Sequence, residues 1–428
     1  MRIGIVIGRI GGVDGVALET EKWISVLGRM GHEIVVLTGQ LEGEIGGVER
    51  VSLLPELAFD HPLALEGQRL AFFSAPSIHP ADETTLLARL EREAAAIEEG
   101  ILRWIAGERV DCLLSENASA LPFHLTMGMA LERVFARGET RVVTHDHDFP
   151  WERGERYATP LPGLRRIIER CFPARLPHVR HAVINSAAAR TLRGELGLEQ
   201  VTVVPNVMDF DRPLGQPDAY NARLREDLGL PAQARLLFQV TRIVARKGIE
   251  TAIQLVHRLG DPAVHLVITG TARDEPDQEY PRMLERLTAQ LGLERQVRFA
   301  GERFATARGS AAGRRVYSLS DAYACADACT YFSTYEGFGN AFVEAVVARR
   351  PILVNSYQPV YWEDIGSLGF ETVMIEDGVL TDEAVEQTRL LLADPSRRRA
   401  MAERNFELGR QHFSYQALER LLTPLFSW

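Results

Sequence analysis

Hydrophobic positions along the chain gather into short runs separated by stretches of helical pattern. In the first half the runs are Arg2 to Gly8 (RIGIVIG), His32 to Gly39 (HEIVVLTG), Val110 to Glu116 (VDCLLSE), Arg141 to His145 (RVVTH), His181 to Ser186 (HAVINS) and Val201 to Asn206 (VTVVPN). They are short, β-branched and nearly continuous, as strands buried on both faces of a parallel sheet must be. Between them, Gly15 to Met30, Asp82 to Ala106 and Ala187 to Leu196 read as helices. Alternation of this kind predicts a doubly wound α/β sheet.

The pattern restarts after the proline- and glycine-bearing stretch Asp211 to Ala222. A strand at Ala234 to Arg242 leads into a helix from about Gly248 to Leu259. Further runs follow at Val264 to Gly270, Gln296 to Gly301, Asp327 to Ser333, Pro351 to Ser356 and Thr372 to Asp377. Two Rossmann-like domains facing a central cleft are therefore expected: residues 1–208, residues 209–405, and a last helix at about 406–428 packing back on the first. In such sheets ligands sit beyond the carboxyl ends of the strands. The loops just after strands are where chemistry is to be sought.

Bulk properties narrow the class. A length of 428 residues exceeds one ordinary core, and 46% hydrophobic with 25% charged residues is ordinary globular composition. The formal charge of −10 argues against a protein built to grip nucleic acid. MRIGIVIGRIGG lacks the apolar core and cleavage pattern of a signal peptide, and no stretch suits a membrane span, so the expected location is the cytoplasm, with membrane association disfavoured. Cys112, Cys171, Cys325 and Cys329 make no C-x-x-C pair and read as reduced, buried thiols. A homo-oligomer is left open.

The stretch TYEGFGNAFVEA, Thr334 to Ala345, carries two carboxylates eight positions apart. Each glycine costs about 1 kcal/mol relative to alanine inside a helix, so Gly337 and Gly339 predict a loop followed by a helix starting near Asn340. Glu336 then lies on the loop and Glu344 in an early turn, around a helix end whose free N–H groups suit a phosphate or sugar oxygen. In VTRIVARKG, Arg242 and Lys247 stand at a strand end before a helix, where a guanidinium fork and an ammonium could meet one diphosphate. Solvated loop charges are the alternative. The loop GRIGGVDG, Gly8 to Gly15, brings glycines to a helix start but lacks the G-x-G-x-x-G spacing, and the second strand ends without an acid, which disfavours a nicotinamide enzyme.

VVTHDHDFPWER holds the densest polar cluster of the first half. Three readings compete: His145 and His147 as metal ligands on one face of an extended segment, Asp146 and Asp148 as a metal-binding D-x-D, or a strand-end histidine contacting sugar or phosphate. No further histidine or cysteine pair stands nearby with zinc-like spacing. In SENASALPFH, Glu116 and Asn117 are of the hydroxyl-binding kind, with an Asx turn as the alternative. Arg165, Arg166, Arg170, Arg175 and Arg180 form a basic run, read either as a solvated helix face or as an anion-recruiting patch.

Together these pieces resemble the retaining glycosyltransferases of family 4, of GT-B fold. EGFGNAFVE is similar to that family's E-x7-E motif, TRIVARKG to its G-R-x-x-x-x-K-G, VVPNVMD to its P-N-G-V-D and VRFAG to its V-x-F-x-G. Thr241 and Val207 stand where the family usually has glycine. The resemblance implies a nucleotide-sugar donor, UDP- or GDP-linked, with no metal and no cofactor. Arg242 and Lys247 would bind the diphosphate and stabilise the leaving nucleotide. Glu336, with Gly337, Phe338, Gly339 and Asn340, would hold the donor sugar, Glu344 the ribose, and His145 would sit beside the sugar. Gly12, Thr271 and Arg298 complete the implied donor contacts. The implied acceptor set is Asp14, Glu116, Asn117, His147 and Asn206. SENASALP and THDHDFPWER further resemble soluble transferases on small acceptors, such as the enzymes that make mannosylglucosylglycerate and, more distantly, the sucrose-phosphate synthases. Rival readings keep the fold but make the chain a glycoside phosphorylase, a sugar-nucleotide epimerase or a non-catalytic binding module.

Overall fold

The computed structural model describes residues 1–73, 77, 80–212, 214–272 and 278–428. The chain divides into two compact units, Met1–Asn206 with Leu418–Trp428, and Val207–Ala417.

Unit one is built on seven parallel strands: β1 (Arg2–Ile10), β2 (Glu33–Leu41), β3 (Arg50–Leu53), β4 (Cys112–Glu116), β5 (Arg141–Asp146), β6 (Arg180–Val183) and β7 (Val201–Val203). Their order across the sheet is β3-β2-β1-β4-β5-β6-β7. Val6, Val35, Leu37 and Leu113 from the strands pack with Leu131 and Phe135 of the helix Leu125–Ala136. Each such side chain contributes roughly 1.5–3 kcal/mol by leaving water, which is why the continuous apolar runs end up central. Asp14 caps the helix Gly15–Arg29, its side chain accepting from the main-chain N–H groups of Val16 and Ala17 at 3.1 Å each.

Unit two holds six parallel strands, β8 (Arg235–Gln239), β9 (Val264–Ile268), β10 (Val297–Phe299), β14 (Ala328–Tyr331), β15 (Ile352–Asn355) and β16 (Val373–Ile375), in the order β10-β9-β8-β14-β15-β16. Between β10 and β14 lies a small three-stranded sheet of β11 (Phe304–Ala305), β12 (Gly309–Ala311) and β13 (Arg314–Ser318). The doubly wound reading thus holds in both units.

Two kinds of element escaped the hydrophobic pattern. β3 and the β11–β13 insert are short, polar and partly exposed, so they lack the apolar run that marks a central strand. The single helix expected at about 406–428 is instead two, Pro395–Phe413 and Tyr415–Leu425. Ser414 breaks them with extended backbone, and its hydroxyl accepts from the N–H of Ala417 at 3.2 Å, capping the second helix. Arg180 holds the chain end to unit one. It donates to the carbonyls of Pro424, Leu425 and Ser427 at 3.1, 2.8 and 2.6 Å and lies 4.0 Å over the Trp428 ring. Among the described residues no helix is long and apolar enough to cross a membrane. All four cysteines are free thiols.

Candidate active site

In unit two the loops after neighbouring strands β8 and β14 meet, because those strands are adjacent in the sheet though far apart in sequence. A 3-10 turn, Ala245–Lys247, follows β8 and ends on Gly248, whose φ is +58°. A side chain there would strike the carbonyl of Phe332, so only glycine lets the turn pass this close to the end of β14. The turn presents Lys247, which is buried, to Glu336, and the two side chains are directly ion-paired. Arg246 pairs with the other Glu336 oxygen at 2.7 Å and donates to the carbonyl of Tyr335 at 2.9 Å. Below them, Gln239 donates to the Lys247 carbonyl at 3.0 Å and accepts from Thr330 at 2.6 Å, tying the turn to both strands.

Burial alone would raise the Glu336 carboxyl, but Lys247 and Arg246 outweigh it and hold the group below its ordinary range. Burial also lowers the Lys247 ammonium, with Glu336 pulling the other way. Glu336 is therefore a carboxylate at neutral pH. Arg242 is exposed at the end of β8.

The helix after this loop begins at Asn340, as the glycines predicted. Gly339 stands at φ +121°, and a side chain there would collide with the Tyr357 hydroxyl. That hydroxyl donates to the Phe338 carbonyl at 3.1 Å, fixing the Gly337–Gly339 turn. Glu344 lies in the helix and accepts from the Tyr323 hydroxyl at 2.8 Å. Neither Arg246 nor Tyr323 was singled out from the sequence. Arg246 sits beside the expected lysine and looked like one more loop charge; Tyr323 comes from a separate helix, Leu319–Cys325, and left no local signal.

Thr271 and Arg298 both line a cavity of about 630 Å³ within unit two, together with Gly270, Phe299, Gly301 and Arg303. Gly270 and Gly301 allow the loops after β8, β9 and β10 to stack, since a side chain at either would enter the neighbouring main chain. The Ile243 N–H donates to the Thr271 carbonyl at 3.1 Å.

In unit one the β4–β5 register places Glu116 directly beside His145. Asn117, at φ +49°, locks the two strand ends: its N–H donates to the His145 carbonyl at 2.8 Å, and its side-chain oxygen accepts from the His147 N–H at 3.0 Å. Glu116 and His145 are fully buried, and the His145 ring stacks on Trp23 with centroids 4.0 Å apart. Of the two histidines it is His147 that keeps partial exposure, and it bonds Glu116 at 3.1 Å. Burial pushes Glu116 up to about 7, against the pull of His147, and pushes His145 down to about 4.

The other pieces separate. Asp146 points to the opposite face, accepting from Thr144 at 2.6 Å, while Asp148 pairs with Arg153, so the D-x-D carboxylates do not share a site. Asp14 is engaged in capping its helix and in an ion pair with Arg9 at 3.1 Å. Gly12 lies in the loop after β1. Asn206 is buried at the end of unit one.

Known proteins bear on this arrangement. Residues 221–407 match the model of the glycosyl transferases group 1. The chain is 33% identical to a mannosylglucosylglycerate synthase of Thermotoga maritima, with 99% of each chain covered. It is 28% identical to one of Petrotoga mobilis, covering 96% of this chain and 98% of the other. A solved sucrose-phosphate synthase of Thermosynechococcus elongatus shares the fold with a TM-score of 0.64 at 16% identity, covering 99% of this chain and 98% of that one. The chain belongs to the group 1 glycosyltransferases, with their GT-B architecture of two Rossmann-like domains.

Proposed function

We propose that the protein transfers a hexose, with retention of configuration, from a UDP- or GDP-linked sugar to a small acceptor that is a glyceric acid glycoside. The observation that carries the donor half is the Lys247–Glu336–Arg246 cluster beside exposed Arg242, at the carboxyl edge of a parallel sheet. Arg242 and Lys247 supply positive charge where a leaving diphosphate develops negative charge, and preorganised charge of this kind is usually the largest catalytic contribution. Their presence makes a diphosphate-bound metal unnecessary, and no cofactor is called for. Glu336 and the Gly337–Gly339 backbone take the sugar hydroxyls, and Glu344 takes the ribose. Attack comes from the face the nucleotide leaves, with no protein nucleophile. The full-length likeness to proteins named for mannosylglucosylglycerate supports the acceptor class.

The test is to incubate the protein with UDP- and GDP-hexoses and glucosylglycerate, following nucleotide release and the anomeric configuration of the product. An α-linked product from an α-linked donor, without stimulation by added Mg2+, is expected. An inverted product, or release that depends on Mg2+, would overturn the mechanism; no release with either nucleotide would overturn the donor assignment.

A further inference from the structure

The two histidines of T-H-D-H lacked a third ligand in sequence spacing, and the fold supplies one. Parallel pairing sets Glu116 of β4 opposite His145 of β5, and the alternation of an extended chain returns His147 to the same face. One ligand atom from each of the three lies within 4.8 Å of the others. The same carboxylate oxygen, Glu116 Oε1, is 2.8 Å from His145 Nδ1 and 3.1 Å from His147 Nε2.

We propose that Glu116, His145 and His147 hold one divalent transition-metal cation in unit one. Two further observations point to it. The other carboxylate oxygen of Glu116 and both ring nitrogens of His145 are buried without a hydrogen-bond partner; the Nδ1 contact with Glu116 is close but out of line for a hydrogen bond. Polar atoms left so in a protein interior cost stability unless something satisfies them, and two ligands of one ion stand close without pointing at each other. The carboxylates of Glu19 and Asp146 also act electrostatically on His145, Glu19 being ion-paired with Lys22 at 2.7 Å and Asp146 lying on the opposite face of β5.

Two imidazole nitrogens and one carboxylate oxygen make a borderline donor set that suits Zn2+ or Co2+, whereas Mg2+ and Ca2+ take oxygen ligands. Three protein ligands leave a position free in a tetrahedral site. Asn117 supports the geometry by fixing the main chain at both strand ends. The inference does not rest on the Lys247–Glu336–Arg246 cluster of unit two, and it gives Glu116, His145 and His147 a role other than the sugar and acceptor contacts that the family resemblance implies.

Stripping the protein with chelator and titrating it with Co2+ tests this directly. One equivalent should bind, with visible d–d absorption and without the near-ultraviolet thiolate band that cysteine ligation would give. Zn2+ should displace the Co2+, and Mg2+ should not. Glu116→Gln and His147→Gln should each weaken binding on the order of 100-fold. Because Glu116→Gln alters a fully buried group and can fail to fold, the His147→Gln variant, whose side chain keeps a little exposure and whose folding is checked by circular dichroism, decides the matter. Absence of stoichiometric binding to the stripped protein, a thiolate band, or undiminished binding in His147→Gln would each overturn the proposal.

Discussion

Lys247 and Glu336 are ion-paired inside unit two although 89 positions separate them, because the strands that carry their loops are neighbours in one sheet. The pair does two things at once. It keeps an ammonium buried where water is scarce, and it holds Glu336 ionised against the pull of its own burial.

Removing Lys247 leaves buried Glu336 with Arg246 as its one remaining cation, so the cost should approach but not reach the roughly 3–5 kcal/mol of a buried charge left wholly unpaired. Lys247→Met should therefore lower the urea midpoint well beyond the effect of a surface change. Glu336→Met in the same background should restore part of that stability without restoring turnover. If the double variant is no more stable than Lys247→Met, the pair is not the source of the loss. Lys247→Met should also lower kcat by about 100- to 1,000-fold, the scale for loss of one preorganised charge.

Gly339 is held at φ +121° under the Tyr357 hydroxyl. Gly339→Ala combines a strained backbone, about 1–3 kcal/mol, with a collision. Adding Tyr357→Phe removes the colliding oxygen and leaves the backbone strain. Thermal denaturation should thus show a large drop for the single variant and a partial recovery for the double one. Full recovery would mean that the backbone there is not strained.

The sequence disclosed what depends on local pattern. The twelve expected strands are present because each was an apolar run that a parallel sheet must bury, and the helix start at Asn340 followed from two glycines. What depends on register between distant strands was hidden. Nothing in the spacing of Glu116 and His145 says that they are cross-strand partners, and nothing near Glu344 announces Tyr323. Arg246 was visible but carried no distinguishing pattern; only the turn that aims it at Glu336 separates it from an ordinary loop charge. Ser414 shows the converse, a helical pattern interrupted by a side chain that caps better than it propagates.

His124 gives the stability a pH dependence. Its ring is buried and neutral: Nδ1 accepts from the Met127 N–H at 3.3 Å, capping the helix Leu125–Ala136, and Nε2 donates to the Glu56 carbonyl at 2.7 Å. Burial lowers the ring to about 4, below the ordinary value of 6.5. The unfolded chain therefore binds the proton first, and this contribution is complete above pH 6.5 and lost as pH falls towards 4, by up to about 3 kcal/mol. His124→Asn keeps a capping acceptor but does not titrate there. Denaturant midpoints of the two proteins between pH 4 and 7 should diverge for the parent and stay flatter for the variant; parallel curves would show that His124 is not the titrating group.

Arg242 and Arg246 differ in exposure, and the proposed mechanism gives them different tasks. Arg246 is committed to Glu336 and to the Tyr335 carbonyl, whereas Arg242 is exposed at the strand end. On the proposed mechanism, Arg242→Ala should lower kcat by about 100- to 1,000-fold, because the leaving diphosphate would lose one preorganised charge. Arg246→Ala should instead loosen the loop that carries Glu336, raising KM for the nucleotide sugar and lowering the melting temperature together. It should also shift the Glu336 titration upward, because one of its two cations is gone, so that activity falls off at a higher pH on the acid side. Identical profiles for the two variants would show that both arginines serve the same end, and the division between a charge for the diphosphate and a charge for the loop would have to be abandoned.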